Sequence, residues 1–168
     1  MRLIILGAGG YGRTVADIAA QTDRYDRICF LDDSSTDAIG TCAEYQNFKE
    51  INTEYYPAFG NNVFRLEWMK KLQQDGCTIT TIIHPSAYVS PTAKLGVGSV
   101  IMPGAIVNTG TVVKEGCIIN CGAIVDHDCV LGEGVHVCLG AIVKAENSIP
   151  AFTKIEAGQI VMNREYPR

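Results

Sequence analysis

The segment Asp126-His127-Asp128 carries the residue types most suited to proton transfer in this chain. An imidazole changes charge near neutral pH, and a neighbouring carboxylate orients the ring and stabilises the imidazolium formed when it accepts a proton. Asp126 and Asp128 are both within reach of His127, and spacing alone does not choose between them. His136 follows nine residues later, either as a packed residue at a coil edge or as a contact to a ligand lying along the coil. His84, in Ile83-His84-Pro85-Ser86, reads as a structural junction. The histidines offer no compact pair at metal-ligand spacing, so no metal is expected.

A second candidate site is the turn Gly7-Ala8-Gly9-Gly10-Tyr11-Gly12. It follows an apolar run and opens a helical pattern, so its main-chain N–H groups favour a phosphate or pyrophosphate. Its spacing departs from the dinucleotide fingerprint by the additional Gly10. Asp32 and Asp33 close the next strand, about twenty residues on, where a carboxylate holds a ribose or base edge. A full dinucleotide domain needs a longer sheet than the first 82 residues provide, so a nucleotide-linked sugar fits the space better.

The elements that must position these residues fall into two patterns that meet near residue 82. In residues 1–82, strands are expected at Leu3–Leu6, Ile28–Leu31, Glu54–Phe59 and Thr78–Ile83, and helices at Thr14–Gln21 and Val63–Gln74. Asn62 is the expected N-cap of the second helix, and Gly76 lies just past its end. Alternating strands and helices imply a small Rossmann-like α/β unit with a parallel sheet. Residues 34–53 are the least legible stretch.

Residues 83–168 follow a period of six. Ile83, Val89, Leu95, Ile101, Val107, Val113, Ile119, Val125, Leu131, Val137, Val143, Ile149, Ile155 and Val161 keep one register without an insertion. Such a period implies a parallel β-helix in which three hexapeptides make one coil of 18 residues and each coil is buried by its neighbours. A small residue follows four positions after each repeat residue as far as Ala141; Asn147, Thr153 and Gln159 then break that rule, as a modified or capping turn would. Gly follows three positions after the repeat residue in seven of the eight hexapeptides that start at Leu95 through Val137. The exception is Asp128, in the Asp-His-Asp triplet. A side chain where the backbone favours glycine is the mark of a corner kept for chemistry.

Composition narrows the function class. The chain has 168 residues, 47% apolar and 19% charged, with a net charge of −4. Its cations are scattered, so neither nucleic acid nor an anionic membrane is an expected partner. The opening apolar run is too short and glycine-rich for a signal or a span. Seven cysteines without a C-x-x-C pair read as small buried residues of a cytoplasmic protein.

Taken in order, the Gly-rich turn, Phe30-Leu31-Asp32-Asp33, Gly60-Asn61-Asn62, His84-Pro85-Ser86-Ala87 and the hexapeptides with their His-Asp corner resemble one family. It is the nucleotide-sugar acetyltransferases of bacterial surface-glycan synthesis, which include UDP-4-amino-sugar N-acetyltransferases and sialic acid O-acetyltransferase-like proteins. The resemblance covers about residues 1–145. It implies a left-handed parallel β-helix, a homotrimer, a UDP-linked amino sugar on the N-terminal unit, and acetyl-CoA along the β-helix at a subunit interface. It implies that His127 is the general base and Asp128 its acidic partner. Gly9, Gly10, Tyr11, Asp32, Asp33, Asn61 and Asn120 fall on the acceptor side, and His136 and Gly140 on the acetyl-CoA side. The implied chemistry is direct attack of the sugar amine on the thioester, with the oxyanion held by a backbone N–H. Two departures stand out. Tyr11 occupies a position that is usually His in the family. The stretch from Ala145 also ends sooner than the family's usual run of hexapeptides, so a shortened acetyl-CoA surface is expected. The alternatives are acetylation of a sugar hydroxyl, which the same base serves, and a non-catalytic nucleotide-sugar-binding protein that lost part of its donor site.

Overall fold

The computed structural model describes residues 1–167. It divides into two compact units that separate after Thr80. Among the described residues no helix is long and apolar enough to cross a membrane.

The first unit is a parallel four-stranded sheet. Strands β1 (Arg2–Leu6), β2 (Arg27–Leu31), β3 (Thr53–Pro57) and β4 (Thr78–Ile79) lie in the order β2-β1-β3-β4. Leu3, Ile4, Ile5 and Leu6 are fully buried, which accounts for the unbroken apolar run of a central strand. Because β2 and β3 flank β1, the chain order reverses at the C-terminal end of β1. Ligands of open α/β sheets bind at such a switch point, and the Gly-rich turn leaves from it. Helix α1 spans Gly10–Ala20 and buries Val15, Ile18 and Ala19. It begins earlier than the expected Thr14, because the glycines of the turn already form its first residues.

Helix α2 spans Asn62–Gln74. Its N-cap is Asn61, whose side chain accepts the Phe64 N–H at 2.9 Å, and not Asn62 as expected. Asn62 is instead the first helical residue, and its Oδ1 accepts a bond from the buried Arg65 at 2.9 Å. Gly76 follows the helix at φ 71°, as its position suggested. The illegible stretch contains a 3₁₀ helix at Cys42–Phe48 closed by a Thr41–Glu44 capping box. The expected fourth strand is divided: Thr78–Ile79 pairs with β3, whereas Ile82–Ile83 starts the second unit by pairing with Val100–Ile101.

The second unit is a three-sided parallel β-helix. Its first face stacks Ile82–Ile83, Val100–Ile101, Ile118–Ile119, His136–Val137 and Lys154–Ile155. The second stacks Tyr88–Val89, Ile106–Val107, Ile124–Val125, Ile142–Val143 and Ile160–Val161. The third stacks Lys94–Leu95, Val112–Val113, Val130–Leu131 and Ser148–Ile149. The second residue of each pair points inward, and from Ile101 to Val161 all of these are buried. Each contributes about 1.5–3 kcal/mol through burial.

The small interior residues have a further task. Ser99, Thr111, Cys117 and Cys129 each donate to a corner carbonyl fifteen residues ahead, on Lys114, Asp126, Gly132 and Lys144 respectively. Two of the buried cysteines are therefore weak donors that stand in for hydroxyls. Asn147 continues the same series where the small-residue rule breaks. Its amide donates to Lys144 O and Met162 O, both at 2.8 Å, and its carbonyl accepts the Tyr166 N–H. The fully buried Asn147 ties three segments together, and the coil keeps its register through Ile160–Val161.

Candidate functional site

Twelve successive corners of the coil, from residue 98 to residue 164, hold positive φ. Eight are glycine; the others are Asp128, Glu146, Phe152 and Arg164, so Asp128 is not alone. Asp128 has φ 56°, a conformation that Asp accepts more readily than most side chains.

His127 projects from this corner, between the second and third faces. Its Nδ1 lies 2.9 Å from Asp128 Oδ2, which settles the choice that spacing left open. A carboxylate only accepts, so Nδ1 carries the proton and Nε2 presents its lone pair. The His127 side chain is 49% exposed, so that nitrogen is open to a ligand. Asp126 does other work. Its Oδ1 accepts the His127 backbone N–H at 2.8 Å and the Asn108 amide at 3.3 Å. The hydrogen bond from Asp128 raises the His127 pKa above the ordinary imidazole value, with the charges of Asp126, Asp128 and Glu146 adding to it.

Two residues that sequence reasoning missed complete this corner, and both stand eighteen positions before a residue it found. Asn108 lies under Asp126. Gly110 lies under Asp128: at φ 69°, a Cβ there would meet Asp128 Oδ1 at 2.4 Å. Any larger residue would push the carboxylate away from His127. The stacking period is the signal that identifies both.

Asn120, His136 and Gly140 gather at a different corner, between the first and second faces. The Asn120 carbonyl accepts the Cys121 N–H at 2.8 Å, which turns its amide NH₂ toward His136 Nε2 at 3.1 Å. Gly140 has φ 62° and nothing within 4 Å of where a Cβ would stand. Its N–H is bonded to Cys121 O at 3.0 Å, so Gly140 contributes an open surface. Within one chain these residues and His127 stand at the two borders of the second face.

The first unit gathers the remaining candidates around the Gly-rich turn. Gly7 and Gly12 are fixed by packing: a Cβ on Gly12 would strike Gly7 O at 1.9 Å, and Gly7 holds φ 100°. Gly9 and Gly10 have nothing within 4 Å of their Cβ positions, and Gly9 caps α1 without a side-chain bond. Their smallness therefore serves no internal contact, and both are exposed at the N-terminus of α1. The Tyr11 hydroxyl is 2.6 Å from the Tyr56 hydroxyl, and burial drives its pKa well above the usual tyrosine value. Asp32 braces the turn. Its Oδ2 accepts the Ala8 N–H at 2.8 Å, and its Oδ1 accepts the Ser34 and Ser35 N–H groups. Asp33 accepts the Cys42 N–H at 2.8 Å. Both carboxylates, and Asn61 at its cap, thus bond the chain's own backbone.

A family model described as the PglD N-terminal domain matches residues 2–72. The acetyltransferase domain of PglB from Neisseria gonorrhoeae FA1090 superposes with a TM-score of 0.92 at 37% identity, over 95% of this chain and 81% of that one. The chain belongs to the PglD-like nucleotide-sugar N-acetyltransferase family. The same PglB domain in complex with acetyl coenzyme A gives a TM-score of 0.87 at 32% identity, over 96% of this chain and 90% of that one. PerB from Caulobacter crescentus, in complex with CoA and GDP-perosamine, gives 0.83 at 27% identity, over 99% and 91%. Among curated proteins, the UDP-N-acetylbacillosamine N-acetyltransferase of Bacillus subtilis (strain 168) is 30% identical over 107 residues, 58% of this chain. The match spans half the length of that relative.

The Asp32 bonds to Ala8, Ser34 and Ser35 hold its pKa at about 2, below the ordinary 3.8. A lowered folded pKa stabilises the fold above the unfolded value, and that stability is lost as pH falls through the folded one. Asp32→Asn should therefore be less stable than the parent chain in urea at neutral pH. The gap should narrow as pH drops from about 4 toward 2. A gap independent of pH would show that the charge of Asp32 is not what braces the turn.

Proposed function

We propose that this chain transfers an acetyl group from acetyl-CoA to the amine of a nucleotide-linked amino sugar, with His127 as general base. The observation that carries the reading is the Asp128–His127 bond, which orients the ring and leaves Nε2 exposed. Supporting it are the acetyl-CoA named with the PglB domain and the CoA and GDP-perosamine named with PerB. The first unit holds the nucleotide part of the acceptor through the N–H groups at Gly9 and Gly10, as a UDP-linked sugar requires of a helix N-terminus. Asp32 braces that turn through the Ala8 N–H, and Asp33 holds the following loop through the Cys42 N–H.

In the transfer step the amine nitrogen forms a bond to the thioester carbonyl carbon and the carbon–sulfur bond breaks. Nε2 takes the amine proton, and the imidazolium returns it to the departing thiolate of CoA. Asp128 stabilises the positive charge in between. Seven cysteines outside disulfides suit a cytoplasmic setting, where thiols stay reduced.

The second face supports a homotrimer. Its outward residues Tyr88, Ile106, Ile124, Ile142 and Ile160 form an apolar ladder, and Tyr88 and Ile160 are each 52% exposed. A ladder of this kind is covered by another copy. It is bordered by the Asn120–His136 corner on one side and the His127 corner on the other. Association through it would bring one copy's His136 corner toward the next copy's His127, with acetyl-CoA between them.

With acetyl-CoA and a UDP-4-amino sugar, followed by release of CoA thiol, His127→Ala should lower kcat by about 10²- to 10⁴-fold while acetyl-CoA still binds. The parent rate should rise with pH through a midpoint above that of ordinary imidazole, because Asp128 stabilises the protonated form. Undiminished turnover in His127→Ala would overturn the base assignment. A hydroxyl sugar acetylated in preference to the amine would instead favour O-acetylation. Light scattering should give three times the chain mass for the parent and one for Ile142→Lys; a monomeric parent would refute the shared site.

A further inference from the structure

Three of the four side-chain-bearing corners with positive φ, Asp128, Glu146 and Arg164, stack in a single column above Gly110. The corner column between the first and second faces, by contrast, is Gly104, Gly122, Gly140 and Gly158. Left-handed backbone disfavours a side chain at each position, so three in succession at the His127 corner need a reason.

The column is connected. The Glu146 N–H donates to His127 O at 3.1 Å, which fastens the Glu146 corner directly onto the residue bearing the imidazole. Arg164 holds Glu146 in turn, with Nε and Nη2 each 3.3 Å from the same Oε2. Asp128, Glu146 and Arg164, with Pro167, line an open cavity of about 280 Å³. The column runs carboxylate, carboxylate, guanidinium. Two carboxylates at successive corners repel, and the guanidinium at the third offsets that repulsion.

We propose that Glu146 and Arg164 are positioning residues for His127: Glu146 extends the negative field of Asp128 along the corner, and Arg164 holds and limits it. The inference rests on His127 being the base. In the stacking register the charged residues around His127 are Asp126 and Asp128 on its own corner, Lys144 and Glu146 one coil on, and Arg164 one coil further. Asn108, Thr109 and Gly110 on the preceding coil are uncharged. The charge of Glu146 is among the causes that raise the His127 pKa, in keeping with this arrangement.

The test follows the imidazole itself, in full-length protein labelled at histidine, by an NMR pH titration run beside the pH profile of acetyl transfer. His127→Ala assigns the resonance, and His84 and His136 report whether the fold is intact. Glu146→Gln should lower the His127 midpoint and Arg164→Gln should raise it. The acid limb of kcat/KM should move in the same directions, and both shifts should shrink in 1 M salt. Coincident His127 midpoints in the three proteins would overturn the inference. Coincident midpoints with turnover still lost in His127→Ala would sink the inference alone, whereas full turnover in His127→Ala would sink the base assignment beneath it.

Discussion

The second unit depends on one constraint. From residue 98 to residue 164 each corner holds positive φ, and the corners must recur every six residues for the coils to stack. Glycine meets the first demand without steric penalty, and the apolar residue of each hexapeptide meets the second by burial. Because neighbours in the stack are eighteen residues apart, every side chain at a corner is placed by the coils before and after it. Asp126 is held by Asn108 below, Asp128 has room only because Gly110 lies beneath it, and His127 receives the Glu146 N–H from above. The site is rigid because it belongs to a column of backbone.

The first unit solves a related problem by other means. The Gly-rich turn is held both by close packing and by a carboxylate. Gly7 and Gly12 let strand and helix approach closely, while Asp32 takes N–H groups from both the turn and the following loop. Asp32, which the sequence places on the acceptor side, thus also braces the chain itself. It leaves Gly9 and Gly10, whose Cβ positions meet nothing within 4 Å, as the open part of the turn.

The period of six made the β-helix legible, and the register from Ile83 to Val161 is the one observed. The Asp-His-Asp corner was legible for the same reason, as a departure from a strict glycine pattern. Spacing could not choose between Asp126 and Asp128, because that choice depends on rotamers and on what lies one coil below. It also missed Glu146 and Arg164, since the glycine pattern was followed only through Gly140. In the first unit the errors were local. Two adjacent asparagines compete for one cap, and Asn61 takes it while Asn62 turns to Arg65. The run Thr78–Ile83 reads as one strand although its two ends pair in different sheets, because apolar patterning does not record which sheet a residue joins. The 3₁₀ helix at Cys42–Phe48 shows no apolar period, and only its capping box marks it.

The central claim is that Asp128 occupies a corner better suited to glycine because His127 needs its carboxylate. Replacing Asp128 by Gly separates the two demands, read by urea denaturation and acetyl transfer on the same protein. The expected result is stability equal to the parent or higher by up to about 1 kcal/mol, as a left-handed corner relaxes, together with a marked loss of turnover. A destabilised protein that keeps full turnover would contradict the account, because Asp128 would then serve the coil and not the imidazole.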